Sequence, residues 1–191
     1  MTIAGLVMAG GRSTRYGKQK LFELHENEAL WMKSVRALQK ANIHDIYVLT
    51  NNNLNDHFLA HDVHVLIDQS PHAGPMHALH GAMSALHEDF EWFQVLAGDL
   101  PTVTPQLLIE LQNHLQANED YDCLLPINNG KLQPLHGLYH RNCLRALQHQ
   151  SSKDASMRTL IERVNTRTID FSHKHDFMNI NYEHDWKGVG R

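Results

Sequence analysis

The sequence predicts an α/β protein built on a mostly parallel sheet, with a small β-hairpin inserted into it. Three observations carry that expectation. Short apolar runs alternate with segments of helical period, the first run empties into a glycine-rich loop, and an Asn-Gly pair late in the chain breaks the rhythm. Strands separated by helices of about 10–15 residues pair in parallel through helical crossovers.

In chain order, residues 3–8 form a continuous apolar run, as a strand buried on both faces requires. A polar loop, 9–20, follows. Leu30, Trp31, Val35, Leu38 and Ala41 recur at helical spacing. Ile46-Tyr47-Val48-Leu49 reads as a second strand, stopped by Asn51-Asn52-Asn53. A short helix over 54–60, a strand over 63–67, a helix over 76–87 entered through Gly74-Pro75, and a strand over 93–97 continue the pattern. Pro105 suits the first position of a helix, where it has no amide to lose. Thr104 suits the N-cap, and Leu107, Leu108, Leu111 and Leu115 face inward. Beyond Cys123-Leu124-Leu125-Pro126, Asn129-Gly130 joins Ile127-Asn128 to Lys131-Leu132 as a two-residue hairpin turn. Helices over 144–149 and 157–164 and a strand over 166–171 complete the expectation. No repeat, low-complexity tract or linker interrupts the chain, so one domain over 1–191 is predicted.

With 42% hydrophobic and 20% charged residues among 191, the chain has an ordinary globular balance and the length for a real core. A formal charge of -4 argues against nucleic acid as a partner, since binding it means neutralising many phosphates with Lys and Arg. Cys123 and Cys143 lie too far apart for a CxxC pair and read as reduced thiols. The sixteen histidines include the groups His57, His61, His64; His72, His77, His80; and His173, His175. None shows HExxH or zinc-finger spacing, so most of the histidines read as surface or helix-face residues. The opening run lacks the basic start of a signal peptide, and no stretch approaches the roughly 18 apolar residues of a membrane span. A cytoplasmic location is expected.

The chemistry concentrates in two places. The first is Leu6-Val7-Met8-Ala9-Gly10-Gly11-Arg12-Ser13-Thr14-Arg15-Tyr16-Gly17-Lys18-Gln19-Lys20. Glycines let backbone amides approach phosphate oxygens and adopt positive φ, and Arg12, Arg15, Lys18 and Lys20 supply the positive charge a triphosphate needs. The loop leaves the carboxyl end of the first strand, where open α/β sheets take ligands. Its glycine spacing and Gln19 exclude a Walker A loop, and no dinucleotide GxGxxG is present. The second place is Val95-Leu96-Ala97-Gly98-Asp99-Leu100-Pro101, an acid at a strand end over the same sheet edge. Magnesium takes one or two carboxylates plus substrate phosphates, so Asp99 is the candidate metal ligand. Asp68, ahead of Ser70-Pro71-His72-Ala73-Gly74-Pro75, and Asn51 also end strands; turn chemistry explains both equally well. Phe177-Met178-Asn179-Ile180-Asn181 alternates, which puts Asn179 and Asn181 on one face, where they can offer oxygen ligands or hydrogen bonds. No GxSxG elbow occurs, and phosphoryl chemistry needs none.

Together these motifs resemble the GT-A-like nucleotidyltransferase superfamily, whose loop reads roughly LAGGxSxRMGxxK, and within it the molybdenum cofactor guanylyltransferases. Asp68 to Gly74-Pro75-Met76, Gly98-Asp99-Leu100-Pro101, Gln133-Pro134-Leu135 and Asn179-Ile180-Asn181 carry the narrower likeness, which spans essentially the whole chain. It implies a Rossmann-like, three-layer α/β/α fold. It also implies transfer of GMP from GTP to the terminal phosphate of molybdopterin, with release of pyrophosphate and with Mg2+ as cofactor. By the same likeness Met8, Ala9, Gly10, Gly11, Lys20, Asn51, Asp68 and Asp99 bind the nucleotide, and Asp99 holds the metal. Lys20 and Asp99 are then catalytic, with Arg15 expected to help at the phosphates and Asn179 and Asn181 to support acceptor or metal. A cytidylyl donor, or another small phosphorylated acceptor, is the alternative. Transient contact with molybdenum cofactor biosynthesis proteins or with chaperones of recipient molybdoenzymes would follow; contact with nucleic acid or membrane would not. Met8 stands for the usual Leu and Tyr16 for the usual Met. Tyr182-Glu183-His184 stands for the usual Thr-Pro-Glu, which weakens the expected helix start after Asn181.

Overall fold

A computed structural model describes residues 1–59, 61–71, 73–115, 120–148, 156–172 and 176–188. The central strand is β1 (Ile3–Met8), buried along its inner residues as its unbroken apolar run requires. β2 (Leu24–His25) and β3 (Glu28–Ala29) form a separate ribbon ahead of α1 (Leu30–Lys40). β4 (Ile46–Thr50) pairs in parallel with β1, and β5 (His64–Ile67) with β4. After α2 (Pro75–Leu86) the chain returns to the other side of β1 as β6 (Trp92–Ala97), again parallel. α3 (Pro105–Asn113) leads to β7 (Cys123–Asn128), β8 (Lys131–Leu132) and β9 (Leu138–His140), and β9 lies antiparallel between β6 and β7. α4 (Cys143–Gln148) and α5 (Met157–Ile161) precede β10 (Thr166–Asp170), parallel to β7. The sheet runs β10-β7-β9-β6-β1-β4-β5, with β8 on β7. This is the mostly parallel α/β arrangement the sequence predicts.

Side chains alternate along β1, so the two faces of the sheet acquire separate cores. Ala4 and Leu6 join Leu79 and Met83 of α2, Leu144 and Leu147 of α4 and Leu160 of α5. Val7 joins Trp31, Val35 and Leu38 of α1 and Leu108 of α3. Leu38 lies so close over β1 that a Cβ on Gly5 would stand 2.8 Å from it. Each fully buried Leu or Val contributes roughly 1.5–3 kcal/mol. Two such cores hold the carboxyl ends of β1, β4 and β6 side by side, with Met8 paired to both Leu49 and Ala97.

The helices and strands of the core fall close to their expected places. Thr104 caps α3, its Oγ1 accepting from the Leu107 amide at 3.4 Å, and Asn129-Gly130 turns between β7 and β8 at φ of 49° and 73°. The helix expected over 54–60 is only a 3₁₀ turn at Asn55–His57. Asn51 draws the Asn53 amide onto its own side chain, a local bond that competes with a helical start. Ala60 and His149, the predicted ends of two helices, lie outside the described residues. α5 stops at Ile161 rather than 164, where Thr166 Oγ1 donates to the Ile161 carbonyl and the chain turns into β10.

Three strands lack a signal in the sequence. β9 is too short for a periodic pattern and is fixed from outside: Gln94 of β6 donates to the carbonyls of His136 (3.0 Å) and Gly137 (3.1 Å). A Cβ on Gly137 would collide with Leu125, so only glycine lets the chain enter between β6 and β7. The β2–β3 ribbon turns at Glu26-Asn27, both at positive φ, without the glycine that usually announces such a turn.

Candidate functional site

From β1 the chain steps outward to β4 and β5, then crosses back to β6 on the opposite side of β1. At such a reversal the loops leaving two adjacent strands diverge and open a crevice at their carboxyl ends. A cleft of about 510 Å³ lies there. Gly10, Gly11, Arg15 and Lys20 line it from the first loop and Asp99 from the second, joined by Asp68, Asn179 and Asn181. Met8, Leu21, Leu49, Ala97 and Leu135 give it an apolar wall.

Four successive carbonyls of the glycine loop are engaged by the protein. Met8 accepts from the Gly98 amide (3.0 Å), Ala9 from Thr50 Oγ1 (3.1 Å), Gly10 from Asn51 Nδ2 (3.1 Å) and Gly11 from Gln19 Nε2 (3.1 Å). Among the described residues nothing accepts from the amides of Gly10, Gly11 or Arg12. A row of uncommitted amides beside Arg12 and Arg15 is a seat for an anion. Positive φ falls not at Gly10 or Gly11, as expected, but at Ser13 (50°) and Gly17 (84°). At Gly11 a Cβ would meet open space, so no protein contact demands glycine there. Gln19, the residue that excludes a Walker A loop, closes this one by accepting from Ser13 Oγ at 2.7 Å. Gly98 is required by crowding, since a Cβ would stand 3.0 Å from Leu21 and 3.1 Å from the Met8 carbonyl.

Lys20 ties the two loops together. Its Nζ pairs with Asp99 Oδ2 at 2.5 Å and donates to the Ile180 carbonyl (2.5 Å) and Asn181 Oδ1 (3.3 Å). The two charged side chains are only 13% and 15% exposed. Arg15 stands on the cleft wall and is exposed, while Asp68 lines it with Oδ1 accepting from the Ser70 amide at 2.8 Å. Two of the expected nucleotide contacts are not on the wall. Ala9 is fully buried behind it, and Asn51, 7% exposed, spends its amide on Gly10.

The segment expected to alternate like a strand, 177–181, makes no strand pairing. It is anchored instead by the Ile180 amide on the Asp99 carbonyl (3.1 Å) and by Ile180 itself, fully buried with Tyr16, Leu30 and Trp186. Asn179 and Asn181, flanking that anchor, both reach the cleft. The missing Thr-Pro-Glu is made good by Asp185. Its Oδ2 accepts from the amides of Tyr182 (2.8 Å) and Asn181 (2.7 Å), which hold the carboxyl below its usual range. Trp186 Nε1 donates to Tyr16 Oη at 2.7 Å, so the tyrosine standing for the usual Met gives the C-terminal segment a polar tie to the glycine loop.

The histidines find aromatic neighbours. His57 packs on Phe22 (4.4 Å), His61 edge-on to Trp31 (4.9 Å) and His64 on Tyr47 (4.9 Å). Among the described residues no group of three or more His, Cys, Asp or Glu is placed to hold a metal. His72, His173 and His175 lie outside them. Cys123 and Cys143 are free and buried, and burial pushes both thiols up.

A parallel sheet with a cationic glycine loop and an acid at its switch point defines an α/β enzyme of phosphoryl or nucleotidyl transfer. Residues 5–169 match the model of the MobA-like NTP transferase domain, and the chain belongs to that family of nucleotidyltransferases. It is 27% identical over 187 residues to a probable molybdenum cofactor guanylyltransferase of Halalkalibacterium halodurans, covering 95% of this chain and 94% of that one. A protein of the same description from Thermococcus sibiricus is 25% identical, covering 97% and 96%. The structure of molybdopterin-guanine dinucleotide biosynthesis protein A from Archaeoglobus fulgidus superposes with a TM-score of 0.76 at 21% identity, covering 97% of this chain and 96% of that one. No helix among the described residues is long and apolar enough to cross a membrane.

Proposed function

We propose that this protein transfers GMP from GTP to the terminal phosphate of molybdopterin, releasing pyrophosphate, in the cytoplasm. The observation that carries the reading is the meeting of the uncommitted loop amides, Lys20 and Asp99 in one cleft. The names of the full-length relatives supply donor and acceptor. We further propose one nucleotidyltransferase domain over 1–191, because the cores on both faces share β1, β4 and β6.

The donor set fits a hard dication. Asp99 offers a carboxylate and Asn179 and Asn181 carboxamide oxygens on the same cleft, and among the described residues no cluster of His or Cys favours a softer metal. Held by Asp99, magnesium would neutralise charge developing on the leaving pyrophosphate. The chain's own groups do the rest. The amides of Gly10, Gly11 and Arg12 seat the phosphates, and Lys20 and Arg15 stabilise charge on them through the in-line displacement. Asn179 and Asn181, on the same cleft, support the acceptor or the metal.

The test is a thermal-shift comparison of GTP, CTP, ATP and UTP with Mg2+, followed by transfer assays on Asp99→Asn. GTP should stabilise most, and the variant should lose activity about a hundredfold or more while keeping its fold. Preferential stabilisation by CTP would replace the donor with a cytidylyl one, and full activity of the variant would remove Asp99 from the mechanism.

A further inference from the structure

The Lys20 ammonium has three N–H donors and three protein acceptors: Asp99 Oδ2, the Ile180 carbonyl and Asn181 Oδ1. It is therefore saturated without any ligand. It also neutralises the carboxylate that the proposed function gives to a dication, the reading on which this inference rests. A dication on either oxygen of that carboxylate would stand within about 5 Å of the ammonium, and the two cations, on side chains only 13% and 15% exposed, would repel. Nor can Lys20 reach a phosphate while all three of its donors stay committed.

We propose that Lys20 is the resident counter-ion of Asp99, and that metal and nucleotide enter only as a pair. A free dication has to crowd or displace an ammonium already neutralising the carboxylate, and it brings no anion to make up for the lost pairing. A metal–triphosphate complex brings its own anion: the dication takes Asp99 and the phosphate takes Lys20 in one exchange. The same exchange withdraws the lysine from Ile180 and Asn181, so loading the cleft loosens the grip of the glycine loop on the C-terminal segment. Binding is thereby ordered by charge balance, and the free enzyme does not scavenge divalent cations.

The experiment follows free Mn2+ by its EPR signal, using nucleotide-free protein and protein with GTP. The wild type should leave Mn2+ free at micromolar concentration and bind it once GTP is added. Lys20→Met should bind Mn2+ without nucleotide about tenfold or more tighter than the wild type. Lys20→Met/Asp99→Asn should lose that gain, and Lys20→Arg, which keeps the cation, should behave as the wild type. Micromolar uptake of Mn2+ by the nucleotide-free wild type overturns the inference with no variant needed, as does a folded Lys20→Met with unchanged affinity. If Asp99→Asn takes up Mn2+ with GTP as the wild type does, the metal role of Asp99 falls, and this inference with it; if it does not, only the counter-ion role is at stake.

Discussion

His136 provides a quantitative test of how the segment leading to the cleft is held. It is 2% exposed and packs against Phe177 at 4.9 Å, two residues before Asn179. Burial pushes its imidazole from 6.5 down to about 4, against a smaller upward pull from the Asp176 backbone. The folded state thus keeps the ring neutral over a range where the unfolded chain takes up a proton. Where the unfolded state binds more protons, stability rises with pH. The His136 contribution is therefore fully present above about pH 6.5, falls as the pH drops, and levels off below about pH 4. At 1.36 kcal/mol per unit the loss by pH 4.5 comes to roughly 2.5 kcal/mol. Urea unfolding of the wild type and of His136→Leu, which has no titrating group there, should give curves that diverge by about this amount between pH 7.5 and 4.5, the wild type losing more. Carboxylates elsewhere impose the same slope on both proteins, so the difference isolates the ring. Parallel curves would refute the reasoning and place water or a charge partner at His136 in the folded protein.

Gly98→Ala should lower stability by about 1–3 kcal/mol, because its methyl would press on the Met8 carbonyl and Leu21. A calorimetric melt should show a fall of several degrees, about 2–4 °C per kcal/mol for a chain of this size. Asn51→Ala should raise the KM for the nucleotide with little change in kcat, because it frees the Gly10 carbonyl rather than removing a group that touches the ligand. A fall in kcat at unchanged KM would contradict that positioning role.

The parts of the fold that the sequence announces are those with periodic or turn chemistry of their own. β1, α1, α2, α3 and the Asn129-Gly130 hairpin each carry a local signal strong enough to stand without tertiary context. β9 carries none; it exists because Gln94 and Gly137 admit three residues between two strands already in place. The cleft was readable to the extent that strand ends are readable, since Gly10, Lys20, Asp68 and Asp99 all follow runs that close at the same sheet edge. Bonds between distant segments were not. The commitment of Asn51 to Gly10, the three acceptors around Lys20 and the Trp186–Tyr16 tie depend on side-chain directions that spacing does not encode.

The bracing of the glycine loop by Gly98, Thr50, Asn51 and Gln19 means that its shape is settled when the sheet forms. A polyphosphate arriving from solution meets a surface that has already lost its conformational entropy, and spends little of its binding energy on ordering the chain. Affinity for the donor is thereby linked to the integrity of the strands behind it. Changes deep in β4 or at the exit of β6, far from any ligand atom, are where a drift in substrate affinity would first arise.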